Sequence, residues 1–144
     1  MFSKACEYGI RAIIYIATES LENRRVKIGD VAENTGSPEA FTAKILGLLT
    51  KHRIVNSLKG PYGGFEISRS RMQEIRLSDL VFAIDGDSIY KGCALGLSEC
   101  NAAEPCPMHE KFVKVRSELR KMLETTTVYD LATKMLAGES ILMR

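Results

Sequence analysis

The sequence predicts a mainly α fold with one small β-hairpin, and three observations carry that reading. Apolar residues recur every three or four positions over most of the chain, Ser-Pro and Gly signals mark helix starts and stops, and a glycine-rich stretch is flanked by alternating apolar and polar residues. With 144 residues, 45% hydrophobic and 26% charged, the chain is the size of one ordinary domain plus a small arm. It has no repeat, low-complexity run or block of like charges, which excludes a solenoid and a disordered chain.

The opening stretch, MFSKACEYGIRAIIYIATES, has Ser3 as an N-cap and an apolar stripe of Cys6, Ile10, Ile13, Ile14, Ala17 and Leu21. It predicts a helix over about residues 4–20. Glu7 and Arg11 sit inside it and no small-residue cleavage site follows, which argues against a signal sequence. No apolar run approaches the ~20 residues of a membrane span, so the protein is expected in the cytoplasm, with no membrane partner. Ile28 to Asn34 predicts a short second helix that buries Val31 and Ala32 and stops where Gly36 can turn left-handed. Ser37 as N-cap, Pro38 at the first helical position and Glu39 beside the positive helix end then start a third. Its inward face is Phe41, Ile45, Leu48 and Leu49. Glu39, Ala40, Ala43, Gly47 and Thr50 face outward and are mostly small enough for a close approach to another surface.

IVNSLKGPYGGFEIS alternates on both sides of Lys59 to Gly64 and predicts a hairpin with a basic, glycine-rich tip. Helix, turn, helix and hairpin together outline a winged helix-turn-helix. After a short link, Leu77 to Ile84 predicts another helix closed by Asp85-Gly86, and Gly92, Gly96 and Pro105 mark a loop. From Pro107 onward, Met108, Phe112, Val115, Leu119 and Met122 form a seam down a long helix, suited either to core or to a dimer contact. Thr127 and Asp130 read as the capping box of a last helix through Met135. The expected organisation is a winged helix-turn-helix domain at residues 1–86, a cysteine-rich sensor loop at 87–106, and a dimerisation helix with a C-terminal helix at 107–144.

Net charge is only +2, but basic residues crowd between Arg24 and Arg76, whereas Gly92 to Pro105 carries only Glu99 and Glu104. The first half is therefore expected to meet a polyanion. Ser37, Ala40, Thr42, Ala43 and Lys44, near the start of the third helix, are the expected contacts in a DNA major groove. Alanines offer methyl contacts and no hydrogen bonds, so much of the specificity falls to the hairpin and to DNA shape. At the hairpin, Lys59 and Tyr62 can meet phosphate or sugar, while Gly60, Gly63 and Gly64 let the turn hug the DNA backbone; the same glycines would serve any hairpin. No Ser-His-Asp arrangement, phosphate loop or carboxylate pair stands at readable spacing, and an enzyme is not expected.

Three of the four cysteines and one of the two histidines form the pattern C-x(6)-C-x(5)-C-x(2)-H: Cys93, Cys100, Cys106 and His109. In a reducing cytoplasm such clustering favours metal binding or redox chemistry over a structural disulfide. Cys106 and His109 stand one turn apart at the start of the long helix, whose positive end favours a thiolate. Three thiolates and an imidazole suit zinc or an iron-sulfur cluster equally, and the spacing matches neither a zinc finger nor a common ferredoxin. Loop thiols with a reversible redox role, or with none, are the plainer alternative. Cys6 reads as buried packing, and Glu7 as a surface charge compensating the helix dipole.

SKACEYGIRAIIYIA, IGDVAENTGSPEAFTAKILGLLTKHRIV and KGPYGGF, with three cysteines behind them, resemble the winged-helix transcription regulators of the IscR/NsrR/CymR family over nearly the whole chain. The resemblance implies a homodimer packed along its long helices, with paired recognition helices and wings on a palindromic operator in double-stranded DNA. In the sensor branch it implies an iron-sulfur cluster, two-iron or four-iron, that controls DNA binding in response to redox, nitric oxide or iron-sulfur status. Cys93, Cys100 and Cys106 match its cysteine ligands, with His109, or Glu7 of the partner subunit, as the fourth. Two departures stand out: the first cysteine gap is six residues rather than the commoner five, and Ala43 replaces a groove-facing glutamate, so operator preference does not transfer. The alternatives are a regulator of the same fold with zinc or no metal, acting through thiol oxidation or a small effector, and a metal-thiolate electron carrier.

Overall fold

Helix α1 (Lys4–Leu21) starts where the Ser3 hydroxyl accepts from the Cys6 N–H at 3.0 Å, and it buries Cys6, Ala12, Ile13, Ile16 and Ala17. The computed structural model describes residues 1–144, and in it this first helix is the central post. α2 (Ile28–Thr35) buries Val31 and Ala32 and ends at Gly36, whose φ of 65° is the left-handed conformation that suits glycine. α3 (Glu39–Lys51) follows, then β1 (Asn56–Leu58) and β2 (Gly64–Glu66), an antiparallel pair with Ser57 opposite Phe65. Val26 bridges Phe65, so the link between α1 and α2 flanks the hairpin as a third short strand. α4 (Arg69–Glu74), α5 (Leu77–Asp85), α6 (Ser88–Lys91), α7 (His109–Thr125) and α8 (Val128–Leu136) complete the chain. This is the mainly helical winged helix-turn-helix that the sequence predicts.

The differences are local. α4 stands in the stretch expected to be a plain link: Ser68 caps it and Met72 alone is buried, too little to leave a periodic signal. α3 begins one residue late, because the Ser37 hydroxyl lies 3.1 Å from that of Thr35 instead of capping the helix. α7 begins at His109 rather than Pro107, leaving Cys106 in the preceding turn, where its carbonyl accepts from the His109 N–H at 3.0 Å.

α2, α3, α5 and α8 pack around α1. Each fully buried Ile or Leu there, such as Ile13, Leu46 or Leu80, contributes ~1.5–3 kcal/mol. The core runs from Cys6 to Val81 and resumes at Leu123, Val128 and Ala132; no residue from 82 to 122 is buried. On α7, Leu119 rests against the core and Phe112 is half-buried, but Met108, Val115 (59% exposed) and Met122 face solvent. The seam is therefore not core within one chain. The other end of α7 is pinned: the Leu77 N–H donates to the Thr126 carbonyl and the Val128 N–H to the Ile75 carbonyl, both at 3.0 Å. Thr127 and Asp130 form the expected capping box. No helix is long and apolar enough to cross a membrane.

Candidate functional site

Two surfaces carry the residues singled out above. At the start of α3, Ala40 and Lys44 are exposed and Ser37 and Ala43 half-buried. Thr42 requires a correction: it is 1% exposed, and its hydroxyl donates to the Pro38 carbonyl at 2.8 Å, so it cannot reach DNA. Positions 42, 45, 46 and 49 form one inward stripe, and reading Thr42 as the first member of that stripe would have placed it correctly. At the wing, Lys59 and Gly60 are exposed and Tyr62 is 89% exposed. Gly63 is a second correction. It is buried, its N–H donates to the Gly60 carbonyl at 3.0 Å, and a Cβ there would lie 2.1 Å from the Leu58 carbonyl oxygen. Its role is to close the turn, not to touch DNA.

The sequence reading missed the cations that brace the wing from behind. Lys27 Nζ donates to the Gly60 carbonyl at 3.0 Å, and Arg25 Nε donates to Glu66 at 2.9 Å. The signal was present as the basic run Arg24, Arg25 and Lys27 just ahead of the second helix.

The cysteine segment brings two of its four donors into contact. Cys100 Sγ lies 3.4 Å from His109 Nδ1. The Cys93 pKa is held below the ordinary thiol value by the Leu95 N–H first, then by the Leu97 N–H, Cys106 and the Gly96 N–H. All three thiols are half-buried and free. No three His, Cys, Asp or Glu side chains converge closely enough to hold one metal ion in this arrangement. Arg116, from the middle of α7, joins the contact of Cys100 with His109: it donates to Cys100 Sγ at 3.0 Å and to the Tyr90 carbonyl at 3.2 Å. Arg120 lies over the Tyr90 ring, 4.4 Å from its centroid. No spacing rule in the sequence points to Arg116. Glu7 sits in the first turn of α1 and is bonded to Lys4 at 3.1 Å. Cys6, by contrast, is fully buried, and its pKa is pushed up to about 12 by burial and by the nearby Asp85 carboxylate.

A helix with a presented N-terminal end, beside a basic glycine-rich hairpin, defines a winged helix-turn-helix DNA-binding protein. The model of the Rrf2 family, described as iron-dependent transcriptional regulators, matches residues 2–134. The chain belongs to the Rrf2 family of transcriptional regulators. A protein of Aquifex aeolicus (strain VF5) assigned as an HTH-type transcriptional regulator is 30% identical over 133 residues, covering 91% of this chain and 90% of its own length. The structure of CymR (YrzC), the global cysteine regulator of B. subtilis, superimposes with a TM-score of 0.74 at 22% identity, over 92% of this chain and 96% of that one. IscR of T. potens gives 0.73 at 18% identity, over 97% and 91%. At these identities the two structures establish the fold.

Proposed function

We propose that this chain is a homodimeric regulator that binds a palindromic operator through α3 and the wing, under the control of an iron-sulfur cluster held by Cys93, Cys100, Cys106 and His109. The observation that carries the reading is the contact of Cys100 with His109 at the start of α7, beside a Cys93 thiol whose pKa is lowered by neighbours that include Cys106. The donor chemistry fits such a cluster; the four donors must close on one another to hold it. When bound, the cluster supplies thiolate-ligated iron whose charge changes with its redox state.

The chain's own residues do the rest. Arg116 opposes the negative charge of a Cys100 thiolate and ties that sulfur to the α6 backbone. The solvent-facing Met108, Val115 and Met122 on α7 supply the seam for a second copy, which places two α3 helices and two wings about a twofold axis. Ala40 and Ala43 offer thymine-methyl contacts, Ser37 and Lys44 meet the DNA backbone, and Lys59, Gly60 and Tyr62 enter beside the adjacent groove. Residues 87–106 then form the sensing segment between the DNA-binding domain and the dimerising helix. Glu7 of the partner subunit is the alternative fourth ligand.

Anaerobic purification tests the proposal directly. Brown protein with iron and sulfide in fixed ratio to the chain, and loss of that colour in Cys100→Ala, is the expected result; colourless protein carrying one zinc per chain rejects it. A second reading has its own observation, the low-pKa Cys93 beside Cys106, which suits a regulator switched by thiol oxidation without a cluster. Peptide mapping after mild peroxide separates the two: a Cys93–Cys106 link in protein that never held iron favours the second.

A further inference from the structure

A groove of about 850 Å3 runs along the outer edge of the wing, where residues 24–27 lie beside β2. Its walls carry four cations, Arg24, Arg25, Lys27 and Arg69, against a single carboxylate, Glu66. Arg24 and Arg25 are ion-paired with Glu19 and Glu66, but Lys27 and Arg69 take part in none of the chain's five ion pairs. The surplus charge is positive and it is held in place. Lys27 is anchored on the Gly60 carbonyl, Arg25 on Glu66, and Arg69 over the Tyr129 ring at 5.8 Å from its centroid. Preplaced cations lose little side-chain freedom on meeting an anion. The walls are mostly polar and open, unlike the enclosed apolar pockets that take small effectors. Lys27 also lines the neighbouring cavity, with Asp30, Glu33, Ser37 and Glu39, at the start of α3.

We infer that this groove seats the phosphodiester backbone of DNA, as a third contact per chain beside α3 and the wing tip; the inference rests on the DNA-binding reading above. The groove adds affinity without sequence preference, because phosphates carry no base information. The exposed Tyr62 ring, part of the same wall, stands between the wing tip and this seat.

The test is the salt dependence of binding, measured by fluorescence anisotropy with the full-length protein and a duplex long enough to extend past the wing. An Arg24→Gln, Arg69→Gln double variant touches neither Gly60 nor Tyr62 and leaves the wing braced. Its slope of log K against log salt is expected to be shallower than wild type by about 1–2, at roughly 0.9 for each phosphate no longer neutralised, and equally so on unrelated sequences. Arg24→Lys with Arg69→Lys restores the slope, since counterion release counts charge; failure to restore it, with the protein folded by circular dichroism, overturns the inference. An unchanged slope in the double Gln variant, beside a reduced slope in Lys59→Gln, also overturns it while leaving DNA binding through the wing intact. Absence of salt-dependent binding to any duplex by the wild type removes the DNA-binding reading and the groove together. Inorganic pyrophosphate is the remaining arm: stabilisation of wild type but not of the double variant, with equal DNA slopes, assigns the groove to a small phosphate ligand and rejects the backbone.

Discussion

Residues 1–86 and residues 87–122 differ in where their apolar side chains point. In the first region Ile13, Leu46 and Leu80 are fully buried around α1. In the second Leu95, Leu97, Val113 and Val115 face solvent, and no residue joins the core. Beyond Ile89, Tyr90 and Leu119, which rest against the core, the second region is held by polar contacts: Cys100 with His109, and Arg116 with Cys100 and Tyr90. Polar contacts of this kind stabilise by about 1 kcal/mol each, far less than a packed core in sum. The winged region, its core completed by α8, is therefore tightly packed, whereas the cysteine segment is held more loosely. Low local stability is what a responsive segment needs.

The largest test of that contrast compares two leucines. Leu46→Ala is expected to cost about 2–5 kcal/mol in urea unfolding, and Leu97→Ala, at a site 57% exposed, no more than about 0.5 kcal/mol. Equal costs would break the comparison.

Two cysteines sharpen it next. The folded Cys6 thiol keeps its proton up to about pH 12, while the unfolded one releases it near 8.5, so this stability is complete below about pH 8.5 and declines as the pH rises. By pH 10 the loss is about 2 kcal/mol, and Cys6→Ala should flatten that alkaline limb in denaturation curves. Cys93 runs the other way: its lowered pKa adds stability above the unfolded value that disappears as pH falls through the folded one. Cys93→Ala should therefore remove a rise in stability that lies below about pH 8.5 and leave the slope of the alkaline limb unchanged.

The smallest effect falls where the regions meet. Thr127→Ala removes the hydroxyl that accepts from the Asp130 N–H at 3.0 Å, and the expected cost is about 1 kcal/mol by thermal melting.

Elements with a side-chain cap and an apolar stripe were legible in the sequence, α1 behind Ser3 and α8 behind Thr127, as was α2 from its buried Val31 and Ala32 and its stop at Gly36. The wing was legible because only a hairpin explains alternating residues around so many glycines. α4 was not, since its single buried Met72 gives no period to count. Thr42 was misread because a polar residue was assumed to face outward, although its spacing to Ile45, Leu46 and Leu49 turns it inward. For the cysteine segment, the spacing disclosed which side chains matter but not which meet. Loop gaps of six and five residues carry no periodicity, so the pairing of Cys100 with His109 had to come from three dimensions. Arg116 was hidden for the same reason.

One consequence remains in the way α7 is mounted. Its seventeen residues make a stiff rod about 25 Å long, clamped at Thr126–Val128 to the threshold of α5 and met at His109 by Cys100. A cantilever of this length turns chemistry at its tip into torque at its root. A nudge of ~1 Å at the imidazole swings the rod by only ~2°, yet α5 leans directly on α3, so one helix separates the root of the lever from the second helix of the helix-turn-helix.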